Sequence, residues 1–406
     1  MSKSEVDVCF LAHNIADVDF FVSFGLRADR QHFFCVRLST YLYAKLLGLS
    51  ATGLFLIPIK SSLGLGAGDA IPFDGGFYAS CGMSPGYAQK AIAIYARVFS
   101  SSGQKPDIII FSGKARLVEQ AFANAFKNAR SLFYEAGPPG YTYFSKTGTN
   151  ADAEFRFTGF SETKRHFETS CSIGKLGETP KKNKFSKKVL KILDYLFLNF
   201  SKFVLRNPEI VEYLPKKVVF PRFPSHAKNA RRKQLLFIGQ VELDTNSTHY
   251  GADITFMVRE LKKFFHLRKD FGLVLRPHPR EVVNQINLAL ASEFKEICAI
   301  DTGGSLLDAI NEADLVATVN STGGLEALRA GKLVWVFGES YYDQLRGARN
   351  SIDEVLFDLS QETPDISGQK EGVDRFLRDC FIEVDYRGVV FPGIRGMDDF
   401  LANFDR

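Results

Sequence analysis

Leu315-Val316-Ala317-Thr318-Val319-Asn320-Ser321-Thr322-Gly323-Gly324-Leu325-Glu326-Ala327-Leu328-Arg329-Ala330 is the stretch whose reading decides the fold. Residues 315–320 form a short, largely apolar run, as a strand buried on both faces would. Small polar residues and two glycines follow, and Leu325–Ala330 reads as the body of a helix. Strand, small loop and helix make up the repeating unit of an α/β sheet. The junction has a chemical consequence. Backbone N–H groups at a helix start, beside the Ser321 and Thr322 hydroxyls, form an anion site, and glycine lets a phosphate approach closely. An ordinary N-cap has the same residues, so the surroundings must decide.

The same alternation runs in both directions from this stretch. Gln234–Gly239, Gly272–Arg276, Ile297–Ile300 and Leu333–Phe337 read as strands. Ala252–His266, Arg280–Phe294 and Ser305–Asn311 read as helices. In the N-terminal half the strands are Val6–Ala12, Ala51–Ile59, Asp107–Ser112 and Ser131–Tyr134. The helices there are Val36–Leu47, Tyr87–Phe99 and Ala115–Asn128. Such alternation indicates parallel sheets covered on both faces. Residues 151–230 break the rhythm. Lys175–Lys188 holds six lysines, and Val189–Val204 then places Leu190, Leu193, Leu196 and Phe200 at helical spacing. The expected organisation is two Rossmann-like α/β domains, 1–230 with its basic connector and 231–380. Residues 381–406 are a tail, with a helix over Met397–Phe404, expected to pack near the first domain.

A length of 406 residues, 45% of them hydrophobic, supplies two cores. A net charge of +5 suits anionic small molecules or an anionic membrane surface, and is too small to indicate nucleic acid. The six cysteines are scattered with no CxxC spacing, which excludes a zinc ribbon or a disulfide framework and fits a reduced compartment. The seven histidines are dispersed and give no metal cluster. Residues 1–7 are polar, with no signal-peptide core, and no apolar run approaches ~20 residues. A cytoplasmic location follows as an expectation. The basic connector and amphipathic stretch suggest either peripheral docking on an anionic inner membrane or a solvated linker with a packed helix. Gly64-x-Gly66-x-Gly68 has the wrong spacing for a dinucleotide fingerprint, and there is no P-loop.

Four segments follow strands, where open α/β sheets hold ligands. Arg276-Pro277-His278-Pro279 offers a guanidinium fork for a phosphate and a histidine that can donate to a phosphate oxygen or protonate a leaving group; the alternative is a rigid turn with a surface histidine. In Asn320–Ala327, Glu326 is read in the first helical turn, where it accepts from ribose hydroxyls or merely favours the helix dipole. In Gly239-Gln240-Val241-Glu242-Leu243-Asp244, either carboxylate can act as nucleophile or base, or simply be solvated. Glu135-Ala136-Gly137 offers a general base for an acceptor hydroxyl, or a salt-bridged structural glutamate. His13, ending the first strand, reads as a structural histidine.

Read together, Gln240–Asp244, Arg276–Pro279, Ser321–Lys332 and Val336–Tyr342 resemble the bacterial capsule polysaccharide biosynthesis family. Its best-known members are retaining β-Kdo glycosyltransferases that use CMP-Kdo. The similarity is strong over about residues 234–345; the N-terminal half matches in layout, with Glu135-x-Gly137 as its motif. The resemblance implies a GT-B fold, two Rossmann-like domains facing a cleft, the first for the acceptor and the second for the nucleotide sugar. It implies CMP held by Arg276, His278, Gln240, Asn320, Ser321, Thr322 and Gly323, with Glu326 near the ribose. Asp244 matches the family's proposed nucleophile, giving double displacement with net retention, and His278 and Glu135 complete the catalytic set. No cofactor and no metal are implied. The partners implied are a CMP-sugar donor and a bacterial surface-glycan acceptor, which, if lipid-linked, lies at the membrane. Bacterial sialyltransferases, near neighbours, carry two acidic residues before the glycine; here Ala136 replaces the second. The alternatives are an inverting CMP-sialic acid enzyme with Glu135 as base, a UDP-sugar epimerase of the same layout, and a non-catalytic capsule-assembly protein.

Overall fold

Val8-Cys9-Phe10-Leu11-Ala12 has no polar side chain, and all five residues are buried. A strand apolar on both faces belongs in the middle of a covered parallel sheet, and this strand, β1, lies there. The computed structural model describes residues 6–54 (apart from 23 and 25), 84–158 (apart from 115), 189, 190, 192, 193, 196, 197, 232–241, 247, 249–279, 285–361 and 368–381. Among these, β1 pairs in parallel with β2 (Gln31–Cys35) on one side and β4 (Ile108–Phe111) on the other. With β3 (Ala51–Gly53), β5 (Arg130–Ala136) and β6 (Thr142–Ser145) the sheet order is β3-β2-β1-β4-β5-β6.

Alternate residues of these strands enter two separate cores. Val8, Phe10, Phe33, Ile108 and Ile110 face one way, against α1 (Ile15–Val22) and α2 (Leu38–Leu46). Cys9, Leu11, Phe34, Ile109 and Phe111 face the other way, against α3 (Pro85–Ser101) and α4 (Leu117–Ala125). Many phenylalanines are spent here: Phe10 stacks on Phe21 with centroids 4.4 Å apart, and Phe34 meets Phe99 edge-on at 5.0 Å.

The second sheet is parallel throughout its described strands. It consists of β7 (Lys233–Ile238), β8 (Phe271–Arg276), β9 (Cys298–Ile300), β10 (Leu315–Thr318), β11 (Val334–Val336) and β12 (Ala348–Arg349). Their order is β12-β11-β10-β7-β8-β9. Leu235, Phe237, Leu273, Leu275 and Trp335 pack against α6 (Ile254–Leu267) and α7 (Gln285–Glu293). The remaining α-helices are α5 (Phe155–Thr158), α8 (Leu306–Glu312), α9 (Thr322–Arg329), α10 (Ile352–Ser360) and α11 (Gln369–Cys380). Side chains set several starts: Ser84 caps α3, Asp253 caps α6, and Ser305 with Asp308 forms a capping box on α8.

The chain divides into two compact units, residues 1–214 with 379–406, and residues 215–378. Two doubly wound α/β units in one chain are the parts of a GT-B fold. Three expectations need correction. The first sheet is not wholly parallel, since β6 runs antiparallel to β5. Glu135 does not follow its strand but lies inside β5, opposite Tyr143. Glu326 is not in the first turn of its helix: α9 begins at Thr322, and that turn holds no acidic residue. The expected strand beyond residue 54, Gly64–Gly68, the lysine-rich run, the helix over Met397–Phe404, Glu242 and Asp244 lie outside the described residues.

Candidate active site

In each sheet the chain returns across its first strand, and loops part at that switch point. In the second unit the switch lies between β10 and β7, so the loops after residues 238 and 318 flank it. Gln240 and Asn320 stand there, both buried. The Gln240 Oε1 accepts from the Asn320 backbone N–H at 3.2 Å, and its Nε2 donates to Ser247 Oγ. Asn320 Nδ2 donates to the carbonyls of Tyr250 (3.0 Å) and Glu339 (3.1 Å). Two neutral amides thus tie together the loops after β7, β10 and β11 without adding negative charge. The sequence reading gave both residues to the nucleotide; in the structure their amides hydrogen-bond to the protein's own loops.

Ser321 caps α9. Its backbone is extended (φ −65°, ψ 145°), and its Oγ accepts from the Gly323 N–H at 3.3 Å. Its carbonyl accepts from Gly324 N–H at 2.8 Å and from the buried Tyr342 hydroxyl at 2.5 Å. The positive end of α9 therefore faces the switch point from a fixed loop. The glycines have a different reason from the one the sequence suggested. A Cβ on Gly324 would sit 2.2 Å from Tyr342 Oη, and one on Gly323 would sit 3.2 Å from the Ile238 side chain. Gly338 is stricter still, with its Cβ position 2.3 Å from the Tyr250 carbonyl. Close packing under the loop demands these glycines. Glu326 lies one turn further along α9, and burial raises its carboxyl above the usual carboxylate value.

Arg276 ends β8, as expected, but its guanidinium hydrogen-bonds to the protein. Nη1 donates to Asp301 Oδ2 (2.8 Å) and to the Gly303 carbonyl (2.7 Å), and Nη2 donates to the Gly304 carbonyl (2.8 Å). The guanidinium organises the loop after β9 instead of standing ready as a bare phosphate clamp. Its own carbonyl takes the Gly239 N–H at 2.9 Å, which joins the loops after β7 and β8. Next to it, His278 is half-buried.

The first unit has its switch between β1 and β4, and the chemistry there differs. His13 follows β1 and is buried. Its Nδ1 lies 3.0 Å from Arg116 Nη1, and its Nε2 lies 3.3 Å from Glu119 Oε1. Ser112, just beyond β4, donates to the same Glu119 oxygen at 2.9 Å. Burial alone would raise the Glu119 carboxyl, yet the His13 bond and the Arg116 charge outweigh it and leave it lowered. Asp17 accepts from the His13 and Asn14 backbone N–H groups at 2.7 and 2.9 Å, but complete burial still raises its carboxyl. Spacing gave no sign of this group, because Arg116 and Glu119 are about a hundred residues from His13 and meet it only through the β1–β4 pairing.

Glu135 lies along the same edge. Tyr143 Oη donates to Glu135 Oε2 at 2.5 Å, and itself accepts from the Asn150 N–H at 2.7 Å. Asn150 has a left-handed backbone (φ 51°), which turns that N–H inward. The glycine of Glu135-x-Gly137 is a packing requirement: its Cβ position is 2.4 Å from Phe381 Cε1. Phe381 also meets Tyr143 and Phe155 edge to face or tilted, at 5.2 and 5.9 Å.

Residues 212–365 match the profile of the family described as capsule polysaccharide biosynthesis protein. No curated protein matches the chain. Among solved structures, the chain is similar to a β-Kdo 2,7 transferase, KpsC of Thermosulfurimonas dismutans, at 14% identity over 98% of this chain and 100% of that one, TM-score 0.42. A β-Kdo 2,4 transferase, also KpsC of that organism, matches at 16% identity over 68% of this chain and 79% of that one, TM-score 0.35. A Listeria monocytogenes UDP-N-acetylglucosamine 2-epimerase, so described provisionally, matches at 12% identity over 98% and 94%, TM-score 0.32.

Proposed function

We propose that this chain, whose residues 212–365 match the profile of the capsule polysaccharide biosynthesis family, is a glycosyltransferase that moves Kdo from CMP-Kdo to a bacterial surface glycan with retention of configuration. The observation that carries the reading is the second unit's switch point. The described residues of the motifs that resemble the family fall on its loops, and there a capped helix start, Ser321 on α9, is braced by the neutral amides of Gln240 and Asn320. That surface suits one phosphate of a nucleoside monophosphate.

In this reading Ser321, Thr322 and Gly323 receive the CMP phosphate at the positive end of α9, and His278 donates to the departing oxygen. Arg276 acts by fixing the loop at 301–304, and Glu326 serves the ribose. The Asp244 carboxylate attacks the anomeric carbon. The bond from that carbon to the CMP oxygen breaks, and the electron pair leaves on CMP. An acceptor hydroxyl, its proton taken by Glu135, then displaces Asp244, and two inversions give retention. A helix end and a histidine neutralise one phosphate, so no metal is required. The chain works in the cytoplasm, where CMP-sugars are available.

The experiment is a donor panel of CMP-Kdo, CMP-sialic acid and UDP-sugars, with and without EDTA, and NMR of the product anomer. CMP-Kdo alone should support transfer, with retention and without loss to EDTA. Mass spectrometry should find a sugar adduct on the Asp244 peptide, and Asp244→Asn should bind CMP but lose turnover by orders of magnitude. Transfer from UDP-sugars only would overturn the donor. An inverted product would remove Asp244 as nucleophile and favour direct displacement with Glu135 as base.

A further inference from the structure

Asn150 is the one non-glycine residue with positive φ (51°) among the described residues. Asparagine tolerates this backbone when its short side chain hydrogen-bonds locally. Here it does not: Oδ1 and Nδ2 are both buried and find no hydrogen-bond partner among the described residues. The loop around Asn150 imposes the conformation instead. The buried Ser145 hydroxyl, at the end of β6, accepts from the Thr147 and Glu154 N–H groups at 3.3 Å each, and Lys114 holds the Thr147 carbonyl. What the imposed backbone achieves is the direction of one N–H, which donates to Tyr143 Oη at 2.7 Å. Unusual backbone held in place by its surroundings gathers where a mechanism uses it.

Tyr143 is fully buried, and its ring meets Phe155 and Phe381 edge-on, each with centroids 5.2 Å apart. A tyrosine hydroxyl has a single proton to donate. The Asn150 N–H can only donate, so it occupies an acceptor position on Oη, and the tyrosine's proton goes to Glu135 Oε2 at 2.5 Å. Glu135 and Tyr143 are directly opposite in the antiparallel β5–β6 pair, which sets the two side chains beside each other. We infer that Tyr143, aimed by the Asn150 N–H, is the positioning residue for Glu135. This inference rests on the reading of Glu135 as the base towards the acceptor. A base must stand within hydrogen-bond reach of the proton it takes, and a misplacement of about 1 Å can cost roughly 10²-fold in rate. The acceptor's proton passes to the Glu135 carboxylate while the acceptor oxygen displaces Asp244. Tyr143 keeps its own proton throughout and acts only through that carboxylate.

The test uses the full chain and CMP-Kdo, with water as the acceptor and CMP release as the signal. Tyr143→Phe removes the hydroxyl and keeps the ring. It should lower kcat by ~10–100-fold and leave kcat/KM for CMP-Kdo at the wild-type value, because the first displacement precedes the base's step. In a Glu135→Gln enzyme, Tyr143→Phe should add no further loss, since the two residues act as a unit. Asn150→Ala, which disfavours positive φ, should slow turnover as Tyr143→Phe does, and Asn150→Gly should recover most of that loss. Wild-type kcat in Tyr143→Phe beside a slow Glu135→Gln enzyme would overturn this inference alone. So would a joint fall of kcat, kcat/KM and the thermal midpoint by circular dichroism, which marks a merely structural tyrosine. Equal losses in Asn150→Gly and Asn150→Ala would overturn the part given to the Asn150 backbone. A fully active Glu135→Gln enzyme would overturn the reading of Glu135 itself, and this inference with it.

Discussion

The two sheet edges are built on one topology and equipped with opposite chemistry. In the second unit the switch point is braced by neutral amides, Gln240 and Asn320, and shaped by glycines at 323, 324 and 338. In the first unit the corresponding position holds ionisable groups: His13, Arg116 and Glu119 beside β1 and β4, and the Glu135–Tyr143 pair across β5 and β6. Neutral donors and a helix end suit a ligand that brings its own negative charge. Carboxylates with a histidine suit a neutral, hydroxyl-rich ligand that must lose a proton. The same strand order therefore says where ligands go and nothing about which ligand; the side chains on the loops say that.

The sharpest way to break this contrast is to remove charge from the first edge without changing its shape. Glu135→Gln should lower turnover by roughly 10²–10⁴-fold while CMP affinity by calorimetry stays at the wild-type value. A loss of CMP affinity would show that the edges are not divided in this way. Next comes Gly338→Ala, whose new methyl meets the Tyr250 carbonyl at 2.3 Å. Backbone cannot turn aside, so the cost should be roughly 3 kcal/mol. The sole tryptophan, Trp335, is buried in the second unit, so its fluorescence in urea reports that unit directly. Gly137→Ala, which meets the Phe381 ring, should leave the Trp335 transition unchanged.

A smaller effect is expected from Asn320→Ala. It leaves the Tyr250 and Glu339 carbonyls without their shared donor, a loss of about 1–3 kcal/mol. CMP affinity and the Trp335 midpoint should fall together; a fall in affinity alone would make Asn320 a ligand contact rather than a brace. The smallest belongs to the first unit's pH dependence. His32 is buried between Ser50 Oγ (2.8 Å) and Thr52 Oγ1 (3.0 Å), and desolvation, helped by Lys45, lowers its pKa from 6.5 to about 4. Between these values the unfolded chain binds the extra proton, so stability is present above pH 6.5 and is lost as pH falls towards 4. Thermal melts by circular dichroism should show His32→Gln losing less stability than wild type over that window, by on the order of 1 kcal/mol.

Legibility followed period and contrast. Strands that are apolar on both faces, such as Val8–Ala12 and Leu315–Thr318, were visible because their runs end sharply at polar loops. Gln31–Cys35 was not, because it opens on Gln31 and His32, which look solvated; in the fold both are buried, Gln31 donating to the Leu26 carbonyl and His32 lying between the Ser50 and Thr52 hydroxyls. The helix over Ile15–Val22 was hidden because its apolar residues cover most of its circumference, which erases the periodic signal. Of the candidate residues, Ser321 was legible as a cap, whereas the partners of Arg276 lie 25 to 28 residues away and left no mark in its neighbourhood.

By itself the sequence determined the alternation of strands and helices, the pair of α/β units and the loops on which chemistry is carried. These follow from hydrophobic period and from small residues at strand ends, both local properties of the chain. Tertiary structure decided what those loop residues touch. It turned the Arg276 guanidinium into the loop at 301–304, gave Gly324 its reason in Tyr342, and brought His13 to Glu119. The physical reason is that a parallel sheet joins strands distant in the chain. Which side chains share its edge is then set by strand order, a non-local quantity that no window of sequence contains.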